Sequence, residues 1–161
     1  MKPLKLYLDT SVINFLFADD APDFKRITIE FFEQFVRRKL YQVYVSEVVI
    51  RELEQTTDTE QRARLLNVIA EYELRVLPLT NEANTLAQVY IAEHILPEKK
   101  LDDARHIALT TINQIDILLS WNFKHLANIN KQLAVKVINE REGYFYPLLL
   151  TNPMEVLYED E

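Results

Sequence analysis

The sequence predicts an α/β protein in which helices cover both faces of a central, mostly parallel sheet of four or five strands. Short runs of β-branched and aliphatic residues alternate with longer amphipathic segments along the chain, and this alternation is typical of repeated βαβ units. Hydrophobic residues make up 48% of the 161 positions, which suits one domain with a sizeable core. We therefore expect a single domain over 1–161, with a packed C-terminal tail over about 144–161.

The first strand is predicted over 4–8, where apolar side chains alternate, and it ends at Asp9. Thr10 and Ser11 are short hydroxyl residues that suit a turn or a helix N-cap, so a short helix or turn is expected over 12–17. The elements predicted next are an amphipathic helix over about 24–39, a strand over 42–45, a helix over 47–54 capped by Ser46, and a charged helix over 58–73.

The second half of the chain continues the alternation. Its predicted elements are a strand over 74–79, a helix over 81–95, a helix that starts at 101, a strand over 115–120, and a last strand over 134–139. The segment 144–157 is aromatic and broken by proline, and we expect it to pack over the sheet before the chain frays through 159–161.

Composition excludes several classes of protein. There is no cysteine, so neither disulfides nor thiolate metal sites are available. With only three histidines, a His-rich zinc site is not expected either. A single glycine cannot supply the Gly-rich phosphate loops of the Walker or Rossmann type. The sequence contains no run of about 18 apolar residues, so no membrane span is predicted. The first residues lack the apolar core of a signal peptide. We therefore expect a cytoplasmic protein without a membrane partner.

The net charge of −7 argues mildly against broad, sequence-independent electrostatic binding of nucleic acid. It is compatible with a nuclease whose clustered carboxylates hold metal ions, because the bound ions reverse the local sign of charge.

Four polar side chains fall at comparable places in the pattern. Asp9 ends the first strand, Glu52 lies in the helix after the second strand, and Asp103 lies in the first turn of a helix. Asn122 comes two residues after the strand that ends at Ser120. In a parallel sheet these groups can converge at the carboxyl edge, where functional groups gather. Carboxylate and amide oxygens suit Mg²⁺ or Mn²⁺, and such an ion relieves the repulsion within an acidic cluster.

The chain resembles the PIN-domain nucleases over about residues 4–140. Four segments carry the resemblance in the order of that family: Leu8-Asp9-Thr10-Ser11-Val12, Ser46 with Glu52-Leu53, Leu101-Asp102-Asp103-Ala104-Arg105-His106-Ile107-Ala108, and Leu119-Ser120-Trp121-Asn122-Phe123-Lys124-His125-Leu126. The resemblance implies a PIN-like three-layer α/β/α fold and a metal-dependent endoribonuclease that hydrolyses RNA with Mg²⁺ or Mn²⁺. Many small members are toxins of bacterial toxin–antitoxin pairs.

By this resemblance, Asp9, Glu52 and Asp103 match the three acidic metal positions, and Asn122 matches a fourth that is usually aspartate. We expect Asp9 and Asp103 to hold the ion, Glu52 to ligate it or orient the attacking water, and Asn122 to complete the site. The implied partners are an RNA substrate, an antitoxin protein and a second copy of the chain. The apolar helices over 24–39 and 58–73 offer surfaces for such a homodimer.

Several assignments stay open at this stage. Asp102 competes with Asp103 for one role, His106 is expected to face the core rather than to catalyse, and His125 is expected to be an ordinary loop residue. Thr10 and Ser120 are candidates to hydrogen-bond the metal ligands. A basic rim that meets phosphates could include Lys99, Lys100, Arg105 and Lys124.

The competing hypothesis is a PIN-like domain that binds RNA or a protein partner and cuts nothing. Asn122 supports it, because a neutral amide is a weaker ligand than a carboxylate, and so does the net charge of −7. A flavodoxin-like phosphatase is a third class, but it needs an acid two residues after the nucleophilic aspartate. This chain has Ser11 there.

Overall fold

A parallel five-stranded sheet forms the centre of the computed structural model, which describes residues 2–159. Its strands are β1 (Lys5–Leu8), β2 (Gln42–Ser46), β3 (Arg75–Leu77), β4 (Ile117–Leu119) and β5 (Leu149–Thr151). They lie in the order β3-β2-β1-β4-β5, and every neighbouring pair is parallel. β1 is therefore central, and its side chains Leu6, Tyr7 and Leu8 are fully buried.

Helices fill each connection between the strands. They are α1 (Thr10–Asn14), α2 (Pro22–Phe31), α3 (Glu47–Glu54), α4 (Thr59–Glu71), α5 (Asn81–Ala92), α6 (Leu101–Ile112) and α7 (Ile129–Arg141). The connections from β1 to β3 carry α1–α4, and those that return to β4 and β5 carry α5–α7. Because such crossovers are right-handed, the two sets of helices cover opposite faces of the sheet.

Local sequence explains most of these boundaries. Asp58 caps α4, Ser46 caps α3 and Thr80 caps α5 through side-chain oxygens that accept backbone N–H groups. Pro22 stands in the first turn of α2, where a missing N–H costs nothing. The predicted long helix over 24–39 is present as α2 followed by a wider π-helical turn at Phe32–Val36.

The predicted fold class, an α/β/α arrangement on a parallel sheet, is confirmed, but the last strand was wrongly predicted. Residues 134–139 belong to α7, which Asn128 caps and which buries Val135 and Ile138. Ile129, Leu133 and Val137 are exposed on the same helix. This apolar outer face hides the helical period, so the β-branched run looks like a strand.

The fifth strand comes instead from the tail. β5 pairs with β4 through Leu150, which is opposite Leu118, and so extends the sheet rather than packing over it. The backbone N–H of Leu150 donates to Gln132 Oε1 of α7 (2.8 Å), so a hydrogen bond links the edge strand β5 to this helix. The fraying expected at Asp160 and Glu161 lies outside the described residues.

Within residues 2–159, no helix is both long enough and apolar enough to span a membrane.

Candidate active site at the carboxyl edge of the sheet

The polar cluster lies where β1 and β4 end. Strand order reverses between these two strands, because the chain leaves β1 toward β2 on one side and β4 toward β5 on the other. A crevice forms at such a switch point in open α/β sheets, and ligands bind there. Asp9 follows β1 and Ser120 follows β4, so the two side chains meet across this point: Ser120 Oγ donates to Asp9 Oδ2 (2.6 Å).

Asp9 is buried and held by hydroxyl groups. Ser11 Oγ donates to Asp9 Oδ1 (2.6 Å), which also accepts the backbone N–H of Val12 (3.3 Å) and so caps α1. Burial raises the pKa of Asp9 to about 6, against the opposing effects of the His106 charge and of the hydrogen bonds from Ser11 and Ser120. The capping role and the functional role predicted for Asp9 are therefore compatible in one side chain.

Glu52 reaches the same edge from α3 and is held from two sides. Thr10 Oγ1 donates to Glu52 Oε1 (2.9 Å), and His106 Nε2 lies 2.7 Å from the same oxygen. His106 belongs to α6, on the other face of the sheet, so this contact joins the two helical layers. Within residues 2–159, Glu52 Oε2 makes no side-chain hydrogen bond.

A buried chain of hydrogen bonds lies beneath Glu52. The hydroxyl of Tyr7 lies 2.6 Å from His106 Nδ1 and 2.7 Å from Ser46 Oγ, and all three residues are buried. Burial lowers the pKa of His106, but the hydrogen bond and charge of Glu52, with the charges of Asp9 and Asp103, outweigh it and leave that pKa raised. His106 faces the core as predicted, and it also fixes the orientation of a candidate catalytic carboxylate.

Asp102 and Asp103, which compete for one role, differ in their partners. Asp102 Oδ1 accepts hydrogen bonds from Arg51 (2.9 Å) and Arg105 (2.8 Å), so two guanidinium groups already neutralise it. Asp103 makes no side-chain hydrogen bond with any described residue. Burial raises the pKa of Asp103, the His106 charge lowers it, and the Glu52 charge raises it further. Asp103 is therefore the acid of this pair that no described arginine or lysine hydrogen-bonds.

Asn122 lies at the cluster but uses its polar groups locally. Its backbone N–H donates to Ser120 Oγ (2.9 Å), which links it to Asp9. Its side-chain oxygen accepts the backbone N–H of His125 (3.1 Å) and so caps the turn that follows. In this arrangement the amide oxygen stabilises the turn.

Three carboxylates from distant parts of the chain thus share one electrostatic environment. Asp9, Glu52 and Asp103 each influence the pKa of His106, which lies among them. Within residues 2–159, no group of three or more His, Asp or Glu side chains is assembled tightly enough to hold one ion. Mg²⁺ needs less, because it usually retains several waters and binds through one or two carboxylates. The donor set fits such an ion in chemistry and charge, although it does not form a closed ligand shell.

Sequence reasoning predicted Thr10 and Ser120 as partners of the acidic residues, and each one donates to an acidic carboxylate. It missed Tyr7 and Ser11. A signal for Tyr7 was present, because a tyrosine inside a fully buried strand must find a partner for its hydroxyl group. Ser11 lies two residues after Asp9, a spacing at which side chains in a turn commonly interact.

Comparison with solved structures supports the fold. The chain is similar to VapC20 of Mycobacterium tuberculosis, a toxin that cleaves the sarcin-ricin loop, with a TM-score of 0.57 and 17% identity over 74% of this chain and 92% of that one. It is also similar to VapBC2 of Rickettsia felis bound to a DNA fragment from its promoter, with a TM-score of 0.50 and 13% identity over 75% and 90% of the two chains. No family model and no curated protein sequence matches the chain.

The protein therefore has the PIN-domain fold of the VapC toxins. At these identities the likeness establishes the fold alone. Activity has to be argued from the side chains at the carboxyl edge.

Proposed function

We propose that this protein is an endoribonuclease that hydrolyses RNA phosphodiester bonds at the carboxyl edge of its sheet with the help of Mg²⁺ or Mn²⁺. One observation carries the proposal: three carboxylates from non-adjacent elements, Asp9, Glu52 and Asp103, all act on the pKa of His106 near the switch point of a PIN-type fold. The burial that raises the pKa of Asp9 and Asp103 supports it, because perturbed acids in a cleft are typical of functional sites.

In this proposal Asp9 and Asp103 would hold the ion. A bound divalent ion would supply positive charge for the phosphate and would lower the pKa of a water. Thr10 and His106 hold Glu52 through Oε1, so Oε2 remains available to accept a proton from the attacking water. Asn122 contributes by holding the turn beside Ser120 rather than as a direct ligand.

The test is cleavage of a mixed-sequence RNA with Mn²⁺ by the wild type, by Asp9→Asn and by Asp103→Asn. Asp102→Asn is the matched control, because it removes an adjacent acid that two arginines already neutralise. We expect both site variants to lose cleavage and the control to retain it. Equal activity in Asp9→Asn and the wild type would refute the assignment.

A second candidate is a PIN-like domain that binds RNA or a protein and cuts nothing. It is favoured by the side-chain oxygen of Asn122, which is engaged in a turn, and by the lack of a three-donor cluster among residues 2–159. Calorimetric titration with Mn²⁺ separates the two candidates. The nuclease predicts a binding site that disappears in Asp9→Asn and in Asp103→Asn, whereas the inactive domain predicts no such site.

We also propose that the protein is the toxin of a toxin–antitoxin pair. The support is its likeness to VapC20 and to VapBC2, which was solved with promoter DNA. Expression of the chain should arrest growth, and Asp103→Asn should not. A neighbouring short open reading frame whose product relieves the arrest would identify the antitoxin, and size-exclusion chromatography with light scattering would show whether the toxin is a homodimer.

A further inference from the structure

Four side chains form a hydrogen-bonded chain that leads from the end of β2 to Glu52. Ser46 Oγ lies 2.7 Å from the hydroxyl of Tyr7, and that hydroxyl lies 2.6 Å from His106 Nδ1. His106 Nε2 lies 2.7 Å from Glu52 Oε1. Ser46, Tyr7 and His106 are at most 1% exposed, so their polar atoms depend on protein partners. The distances do not say which atom donates at each link, but a count of donors and acceptors does.

The count starts at Ser46, which caps α3. Its Oγ accepts the backbone N–H groups of Val48 (3.2 Å) and Val49 (3.4 Å). A hydroxyl group has two acceptor positions and one hydrogen, so the helix fills both acceptor positions of Ser46. Only the hydrogen remains for the third contact, and Ser46 therefore donates to the hydroxyl of Tyr7.

The direction set at Ser46 continues to the histidine ring. The Tyr7 hydroxyl accepts from Ser46, and among the described residues its own hydrogen has one other partner, His106 Nδ1. In a neutral ring, Nδ1 must then be the unprotonated nitrogen, and the ring proton is on Nε2. Nε2 donates that proton to Glu52 Oε1, which also accepts from Thr10. Every hydrogen along the chain then has an acceptor.

The opposite order leaves buried groups unpaired. With the ring proton on Nδ1, His106 would donate to Tyr7 and Tyr7 would donate to Ser46. The oxygen of Ser46 would then meet three donors, while its own hydrogen had no acceptor among the described residues. Nε2 would also face a carboxylate oxygen of Glu52 at 2.7 Å without a proton on the ring nitrogen. Buried polar groups without partners are costly, so this order is disfavoured.

We propose that Tyr7 is a positioning residue for Glu52: its hydroxyl, directed by Ser46, holds neutral His106 as the tautomer protonated at Nε2, which donates to Glu52 Oε1. The proposal rests on the proposed function, in which Glu52 accepts a proton from water, and adds a residue to that site. A hydrogen bond at one ring nitrogen is a usual means of fixing the proton on the other. Tyr7 acts only through the histidine.

Nuclear magnetic resonance observes the proton on His106 directly. The chain has three histidines, so His94→Asn with His125→Gln leaves a single ring to observe. Asparagine suits position 94, where the backbone is left-handed (φ 59°). The ring nitrogen shifts are recorded in EDTA at about pH 9, because the pKa of His106 is raised and the neutral ring is required. We expect Nδ1 to have the shift of a bare nitrogen and Nε2 that of a protonated one.

Glu52→Gln separates the influence of Tyr7 from that of the carboxylate. A glutamine amide offers either its oxygen or its NH₂ group to Nε2, so it fits both tautomers. With Tyr7 intact, the form protonated at Nε2 should remain the main species. When Glu52→Gln is combined with Tyr7→Phe, both tautomers should be populated.

Tyr90→Phe is the matched control for Tyr7→Phe. Tyr90 is also fully buried, and its hydroxyl also contacts two side chains, Thr111 and Asn139. A merely structural effect of losing a buried hydroxyl should therefore be similar in the two variants. Tyr90→Phe should leave the ring nitrogen shifts of His106 unchanged.

Cleavage kinetics measure the consequence for the reaction. With Mn²⁺ and RNA, Tyr7→Phe should lower kcat about tenfold, because losing a group that orients a functional residue typically costs about 10–100-fold. KM should not change, since Tyr7 lies beneath Glu52 and is fully buried. Tyr90→Phe should retain both constants.

The outcomes distinguish this inference from the nuclease assignment. A ring protonated at Nδ1 in the wild type, or loss of the Nε2 form in Glu52→Gln alone, would overturn the inference, as would equal falls in kcat in Tyr7→Phe and Tyr90→Phe. If the spectra are as expected but the wild type cuts no RNA, the proton order stands and the nuclease assignment fails. Cleavage that depends on Asp9 in a protein whose ring is protonated at Nδ1 gives the reverse. If Tyr7→Phe does not fold, the spectra of the wild type and of Glu52→Gln still decide the proton order.

Discussion

The carboxyl edge of the sheet is lined by buried polar groups, whereas the groove between α7 and the segment 144–150 is mostly apolar. The groove encloses about 390 Å³ and includes Leu133, Phe145 and Leu149, all partly exposed. It adjoins the start of β4, where Tyr146 donates to Asp116 Oδ1 (2.5 Å). The two regions thus lie at opposite ends of the same strands.

The difference shows why volume alone is a poor guide to chemistry. Apolar pockets with a few convergent polar groups are the usual first choice for a binding site. In the groove, however, polar side chains are already hydrogen-bonded within the protein. Gln132 accepts the backbone N–H of Leu150, and Asn139 is hydrogen-bonded to Tyr90 and Thr111. At the carboxyl edge, by contrast, Asp103 and Glu52 Oε2 make no side-chain hydrogen bond with any described residue. The carboxyl edge therefore has the stronger case for catalysis.

The largest expected effect is on cleavage. Glu52→Gln should reduce the RNA cleavage rate by about 10³-fold, since loss of a positioned proton acceptor typically costs 10²–10⁴. Glu140→Gln, which alters an acid that lines the groove, should leave the rate unchanged. Single-turnover kinetics with Mn²⁺ measures both. A large loss in the groove variant would move the catalytic assignment to α7.

The next largest expected effect is on the pH dependence of stability, and it arises from the buried carboxyl group of Asp9. Asp9 has a pKa of about 6 in the folded protein against an ordinary value of 3.8. Because the unfolded chain releases this proton first, the folded state binds more protons between pH 4 and 6, and its stability falls as pH rises through that window. The shift corresponds to about 3 kcal/mol. The raised pKa values of Asp103 and His106 act with the same sign.

Urea denaturation in EDTA at several pH values measures this effect. Asp9→Asn should show a smaller fall with rising pH than the wild type and should be more stable than it near neutral pH. Mn²⁺ should stabilise the wild type more at pH 8 than at pH 5, because protons compete with the metal for carboxylates. A wild-type stability that rises from pH 4 to 6 would contradict the assigned environment of Asp9.

A smaller effect on the free energy of unfolding is expected when two tyrosines are compared. Tyr7→Phe leaves Ser46 Oγ and His106 Nδ1 without their buried partner, so we expect a loss of about 1–2 kcal/mol in the free energy of unfolding. Tyr146→Phe removes an exposed hydroxyl from Asp116 and should change it by less than about 0.5 kcal/mol. Chemical denaturation of both variants gives the comparison. Equal losses would mean that the buried chain adds nothing to stability.

The smallest effect is expected in the groove itself. Phe145 is 74% exposed, so Phe145→Ser should change the free energy of unfolding by less than about 0.5 kcal/mol and leave cleavage unaltered. Thermal unfolding monitored by circular dichroism, together with the cleavage assay, tests this. A marked loss of either property would show that a partner or a substrate uses the groove.

Sequence reasoning succeeded where the signal is local. The alternation of strands and helices, the cap at Ser46, and the acid at the end of β1 each depend on a few neighbouring residues, and each was predicted. It failed at 134–139, where β-branched residues belong to a helix, and it did not find β5 in the tail. Both errors concern segments whose structure depends on what packs beside them.

The amino-acid sequence by itself determined the α/β class, the order of most elements and the acids that could reach one edge, because periodicity and capping act within a turn or a strand. Only the tertiary structure decided that Asp102 is neutralised while Asp103 is not, that His106 joins Glu52 to Tyr7, and that the tail supplies the outer strand. Tyr7 and His106 are 99 positions apart in the chain, and Glu52 and His106 are 54 apart. No local pattern encodes contacts of that range, so they arise only when the sheet aligns its strand ends.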